Sequence, residues 1–125
     1  MNKSDENGGR FAYEGLDRLM HEKARLSIMA SLYTRVEGHN FNELKKLCSL
    51  TDGNLSRHIT VLKQAGLIEV IKGYEGNKPN TVCRLTESGR ERFKSYLTEL
   101  EQVIRDAAAG SIVETVDEKR GFSPA

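Results

Sequence analysis

Residues 51–66 read Thr51-Asp52-Gly53-Asn54-Leu55-Ser56-Arg57-His58-Ile59-Thr60-Val61-Leu62-Lys63-Gln64-Ala65-Gly66, and this stretch decides the fold. Leu55, Ile59 and Leu62 follow i, i+4, i+7, the period of a helix that buries one face. Thr51 is a good N-cap, and Asp52 places negative charge where the helix dipole favours it. Ala65-Gly66 is a C-terminal stop signal. The spacing predicts a helix over 52–64. Its opposite face then presents Gly53, Asn54, Ser56, Arg57, Thr60 and Lys63.

Upstream, Asn42 is expected to cap a short helix, Glu43 to Cys48, with Leu44, Leu47 and Cys48 turned inward. Ser49-Leu50-Thr51 then makes a turn with Leu50 pointing in. Before that, Leu16, Met20, Ala24, Ile28 and Leu32 recur every four residues, with Leu19, Leu26, Met29 and Tyr33 beside them. This stripe predicts a helix buried on more than one side, with a candidate break at His21-Glu22-Lys23. Gly38 ends the helical region, and His39 to Phe41 reads as a short extended link.

Downstream, Leu67 to Lys72 and Thr81 to Leu85 are β-rich. The turn formers of residues 73–80 join them, which predicts a hairpin with a long polar tip. Thr86 with Ser88-Gly89 opens a last helix that carries Phe93, Tyr96, Leu97, Leu100, Val103 and Ile104 on one face. The expected class is mainly α with a small β-hairpin. A short helix, tight turn and second helix followed by a hairpin make a winged helix-turn-helix, here with a long C-terminal helix. The expected organisation is a flexible start at 1–10, one domain at 11–109 and a flexible tail at 110–125.

Composition bounds the function. A chain of 125 residues allows one domain. The net charge of +1 excludes a bulk polycation but not a nucleic-acid binder, because what matters is where charge sits. Residues 42–84 carry seven basic side chains against four acidic, a net +3; residues 101–125 carry three against five, a net −2. Cys48 and Cys83 are too few and too far apart for a disulfide scaffold or a metal clip, so two reduced, packed thiols are expected. No apolar run approaches the ~18 residues of a membrane span, and the polar start at Met1–Arg10 is unlike a signal peptide. A cytoplasmic location is the default. The sequence holds no phosphate-binding Gly-rich loop, no HExxH and no GxSxG. Asp52 and Ser56 lie near His58, but on a helix already committed to the core and its outer face. No enzyme, cofactor or metal is expected.

Several segments together resemble winged-helix transcriptional regulators of the ArsR-like and MarR-like kinds. They are Leu55-Ser56-Arg57-His58-Ile59, Val61-Leu62-Lys63, Ala65-Gly66-Leu67-Ile68 and Leu85-Thr86-Glu87-Ser88-Gly89-Arg90. The resemblance is closest at Thr51-Asp52-Gly53-Asn54-Leu55-Ser56-Arg57-His58 and spans about Leu16 to Ile104. It implies double-stranded DNA as partner. Asn54, Ser56 and Arg57 match positions that face DNA, with Thr60 and Lys63 flanking them. His58 matches a semi-buried position with a structural role. The segment Lys72–Arg84 matches the wing, where Lys78 and Asn80 are the candidate contacts. The tip lacks Arg, which favours a phosphate contact over insertion into the minor groove. Family members pair through their terminal helices, which here implies a homodimer using Leu16, Leu19, Phe93, Tyr96, Leu97, Leu100, Val103 and Ile104.

Two other readings stay open at this level. One is a winged-helix module that docks to protein and leaves DNA alone. The other is a thiol or metal sensor using Cys48 and Cys83, disfavoured because they stand on different elements without CxC-type spacing. No effector is legible in the chain.

Overall fold

The computed structural model describes residues 8–121, with side chains described through residue 110. The elements are α1 (Lys23–Tyr33), β1 (His39–Asn40), α2 (Phe41–Cys48), α3 (Asp52–Gln64), β2 (Ile68–Glu75), β3 (Lys78–Leu85) and α4 (Glu87–Gly121). Helices α1–α4 and a three-stranded antiparallel sheet of order β1-β3-β2 make the winged-helix architecture.

The core draws from every layer. Ile28, Met29 and Leu32 of α1, Leu44 of α2, and Leu55, Ile59 and Leu62 of α3 are buried together. Ile68, Cys83 and Leu85 enter from the sheet, and Phe93 and Tyr96 from α4. Tyr33 and Phe93 meet at 5.3 Å between ring centroids, and Phe93 stacks on Tyr96 at 6.0 Å.

Several boundaries differ from the sequence expectation. The stripe that starts at Leu16 is not helical before Lys23; residues 11–22 run as turns, and Glu22 caps α1 by accepting from the Arg25 N–H at 2.8 Å. The apolar spacing is real, because Met20 is fully buried, but turns deliver it. Helix α2 starts earlier than expected, capped by Asn40 and not Asn42. Asn40 Oδ1 accepts from Glu43 N, and Glu43 Oε1 accepts from Asn40 N, a capping box. Leu47, expected inward, is exposed.

The hairpin is longer and tighter than expected. Residues 73–80, read as a loop, are mostly ladder: Gly73 pairs with Asn80, Tyr74 with Pro79 and Glu75 with Lys78. Only Gly76-Asn77 turns. Pro79 is tolerated because it lies beyond the reach of β1, where β3 has a neighbour on one side only.

Of the expected flexible ends, residues 1–7 and 122–125 lie outside the described residues, and α4 is helical through Gly121.

Two glycines are required by close backbone approach. A Cβ on Gly38 (φ +85°) would meet the Cys83 carbonyl oxygen at 2.1 Å. A Cβ on Gly89, in the first turn of α4, would meet the Leu67 carbonyl oxygen at 1.9 Å. Main chain cannot swing aside as a side chain can. Gly89→Ala is therefore expected to cost about 3 kcal/mol in urea unfolding. Gly53→Ala, with open space around the added methyl, is expected to stabilise by up to ~1 kcal/mol.

Candidate nucleic-acid interface

The geometry of α3 begins with the turn that precedes it. Ser49 ends α2 in the left-handed region (φ +53°), an uncommon conformation for a residue with a Cβ, and this reverses the chain within three residues. Ser49 N donates to Lys46 O and Leu50 N to Lys45 O, so the last carbonyls of α2 are satisfied inside the turn. Thr51 Oγ1 then accepts from Asn54 N at 3.2 Å and starts α3. Lys45 Nζ pairs with Asp52 Oδ1 at 2.9 Å, tying α2 to the first turn of α3.

Helix α3 buries Leu55, His58, Ile59 and Leu62. That leaves Gly53, Asn54, Ser56, Arg57, Thr60 and Lys63 exposed on the other side, all six of the helix residues expected to face outward. Arg57 Nη2 donates to Asn54 Oδ1 at 3.3 Å, so the two longest polar groups at the helix start converge. Thr60 Oγ1 donates to Ser56 O at 2.9 Å. This face offers a guanidinium, an amide, hydroxyls and an ammonium, the donor and acceptor types that read base edges and hold phosphates.

The wing is set by register. Lys78 and Asn80 stand on one face of the β2–β3 ribbon, opposite Glu75 and Gly73. Lys78 is thus placed across from a carboxylate-bearing residue. Tyr74 and Lys72 lie on the other face, opposite Pro79 and Thr81. Tyr74 is 77% exposed and was not singled out by sequence reasoning. Its only signal is an aromatic residue between the two hairpin glycines. At the base, Arg84 pairs with Glu69 across the strands.

The structure divides the residues proposed for dimerisation. Phe93 and Tyr96 are 2% and 1% exposed, consumed by this chain's own core, which corrects their assignment to a partner surface. Leu16, Leu19, Leu97 and Leu100 are half-buried against the same core. Val103 is also half-buried, while Ile104 is 62% exposed. Residues 13–17 dock along α4: Tyr13 Oη donates to Asp106 Oδ2 at 2.7 Å, and Arg92 Nε to Asp17 Oδ2 at 3.0 Å. The Tyr13 hydroxyl holds the Asp106 carboxyl below the usual carboxylate range, with Gln102 assisting.

Sequence reasoning also missed a cluster behind α3, in which Arg25 and Glu22 of the α1 start meet His58. No spacing signal announces it, because His58 lies 33 residues from Arg25 in the chain.

Comparison with known proteins gives three kinds of match. Residues 24–104 match the family model described as winged helix DNA-binding domain. An uncharacterized protein of Methanocaldococcus jannaschii is 34% identical over 89 residues, covering 71% of this chain and 96% of that protein. The structure of a transcriptional regulator homologue from Pyrococcus horikoshii OT3 aligns with a TM-score of 0.71 and 32% identity, over 78% of this chain and 97% of that one. The S. aureus MepR–DNA complex shares the fold at a TM-score of 0.65 and 14% identity, over 93% of this chain and 94% of that one.

Among the described residues, no group of three His, Cys, Asp or Glu side chains stands where it could hold a metal ion. Both cysteines are free thiols. Burial pushes the Cys83 thiol up to about 11. Burial also raises Cys48, with its Ser31 hydroxyl contact acting the other way. Only thiolate reacts readily. Mass spectrometry after iodoacetamide at about pH 8 is expected to find Cys83 unmodified in the native protein and modified once urea is added.

Proposed function

This chain belongs to the winged helix DNA-binding domain family, and on that premise we propose how it meets its target. It is a DNA-binding transcriptional regulator. In our reading α3 enters the major groove, with Asn54 and Arg57 directed at base edges. Ser56, Thr60 and Lys63 hold phosphates or flanking bases. Lys78 and Asn80 bring the wing to the adjacent backbone. The observation that carries the reading is the division of α3. One side is locked into the core by Leu55, Ile59 and Leu62, while the five polar candidates are exposed together on the other. A helix seated in this way turns its outer face to solvent.

The electrostatic division supports this reading. The segment 42–84 holds the net +3, and the far end of the chain holds the negative surplus. We further propose a homodimer built on the middle of α4, with Ile104 and Val103 as apolar contacts and Leu16, Leu19, Leu97 and Leu100 at the margin. Two copies would set their α3 helices into successive major grooves, about 34 Å apart along the duplex. We place the protein in the cytoplasm; among the described residues no helix is long and apolar enough to cross a membrane. The reading assigns it no catalytic step.

A second reading, docking to protein without DNA, draws on Glu75 standing opposite Lys78, which weakens the positive field of the wing. In vitro selection of duplexes separates the two, because recovery of no enriched sequence would favour protein docking.

On a selected duplex, Arg57→Ala is expected to cost ~1–3 kcal/mol and to relax preference at one base position. Lys63→Ala is expected to weaken all sequences alike and to reduce the log–log salt slope by about 0.9. Binding by Arg57→Ala equal to that of wild type would remove α3 as the reading element. Light scattering that shows only monomer at about 50 μM would remove the dimer, since association through a closed interface is concentration-driven.

A further inference from the structure

The side of α3 opposite its DNA-facing residues carries one polar group into the interior. His58 is 7% exposed and stands against the start of α1. Arg25 Nη1 lies 3.2 Å from His58 Nδ1. A guanidinium only donates, so Nδ1 is the acceptor and the ring proton sits on Nε2. That nitrogen faces Glu22 Oε2 at 4.0 Å. Arg25 is fixed from behind, since its Nε donates to Leu19 O at 2.5 Å. Glu22 is fixed by capping α1, and the Arg25 backbone N–H holds its carboxyl below the usual range, so it remains a carboxylate. The ring therefore sits between a fixed cation and a fixed anion. Lys23, Cys48, Asn54 and Arg57 line the same cleft of ≈ 360 Å³, so the cluster adjoins the outward face directly.

We propose that His58 is a positioning residue for the DNA-facing helix, clamped as the neutral Nε2–H tautomer between Arg25 and Glu22, and that its protonation gives up the Arg25 contact in favour of Glu22, shifts the seat of α3 on α1 and weakens DNA binding. This rests on the reading of α3 as the element that meets DNA. A proton taken from solvent lands on Nδ1, the atom that accepts from Arg25. The hydrogen bond is then lost, and two positive groups face each other at the same separation. Glu22 attracts the new imidazolium from the opposite side. Both forces drive the ring from Arg25 toward Glu22, and the backbone that carries Arg57 moves with it. The clamped state holds fewer protons than the shifted one, so falling pH drains it. The charged or titratable groups around the ring are Glu22, Lys23 and Arg25 from α1 and its cap, Cys48 from α2, and Arg57 from α3.

The test measures affinity by fluorescence anisotropy for a duplex obtained by in vitro selection, from about pH 7.5 to about pH 5.5. Wild-type affinity is expected to fall roughly tenfold, the size of one lost hydrogen bond to a charged group. His58→Gln keeps an acceptor for Arg25 and a donor for Glu22 but cannot titrate. It is expected to bind within about twofold of wild type at neutral pH and to lose the acid sensitivity. His21, bonded to Tyr96, and His39, near Glu43, remain in both proteins, so the difference isolates His58. Nitrogen chemical shifts of the ring, read by NMR at neutral pH, are expected to show the proton on Nε2. A proton on Nδ1, a flat wild-type profile, or equal acid sensitivity in His58→Gln would overturn the proposal. Arg57→Ala on the same duplex separates the two readings. If it binds as well as wild type, α3 is not the DNA-facing element; if it weakens binding while the wild-type profile is flat, only the role of His58 falls.

Discussion

The molecule is organised around one place where three segments of main chain meet. Gly66 and Leu67 leave α3 for the sheet, Thr86 leaves the sheet for α4, and Gly89 closes the first turn of that helix. Thr86 N donates to Leu67 O at 3.0 Å, and its hydroxyl donates to Gly66 O at 2.6 Å. The same hydroxyl accepts from Gly89 N at 2.9 Å, so a single threonine caps α4 and holds the exit of α3. The absence of a side chain at Gly89 lets the helix lie against the Leu67 carbonyl. The end of α3, the base of the wing and the start of α4 are thereby fixed to one another through backbone. Everything proposed for DNA recognition depends on that junction, because it sets the angle between the helix and the ribbon.

Much of this was legible in the sequence, and the misses share a cause. Helix α3 could be read to the residue because its cap, dipole partner, apolar spacing and stop signal all agree at Thr51, Asp52, Leu55–Leu62 and Gly66. Where local signals conflict with tertiary context, the reading slipped. Gly73 and Pro79 look like strand breakers, yet the ladder runs through both, because Gly73 lies on the edge strand β2 and Pro79 on the part of β3 that β1 does not reach. Residues 16–20 carry a helical spacing that turns reproduce. The cap of α2 falls at Asn40 and not at Asn42, because Glu43 completes a capping box with Asn40.

The site divides in the same way. The outward residues of α3 follow from periodicity, since locating the buried face also locates its opposite. The terminal apolar residues do not, because periodicity cannot say whether a greasy face meets its own core or a second chain. Phe93 and Tyr96 found partners in Tyr33 and in each other, while Ile104 lies past the end of that core. Nor could any pattern bring Glu22 and Arg25 to His58, since that meeting follows only from the packing of α1 on α3.

The sheet also carries information about time. Glu75 and Lys78 are pairing partners separated by a two-residue turn, so the wing can zip from its tip with almost no loop to close. His39 must find Cys83 across most of the domain, after α2, α3 and the hairpin have taken shape between them. Contact-order reasoning puts the ribbon early and the third strand late. The seam at Gly38, where the backbone presses on the Cys83 carbonyl, closes in that slow step. A chain emerging from the ribosome exposes both halves of the domain before it can join them.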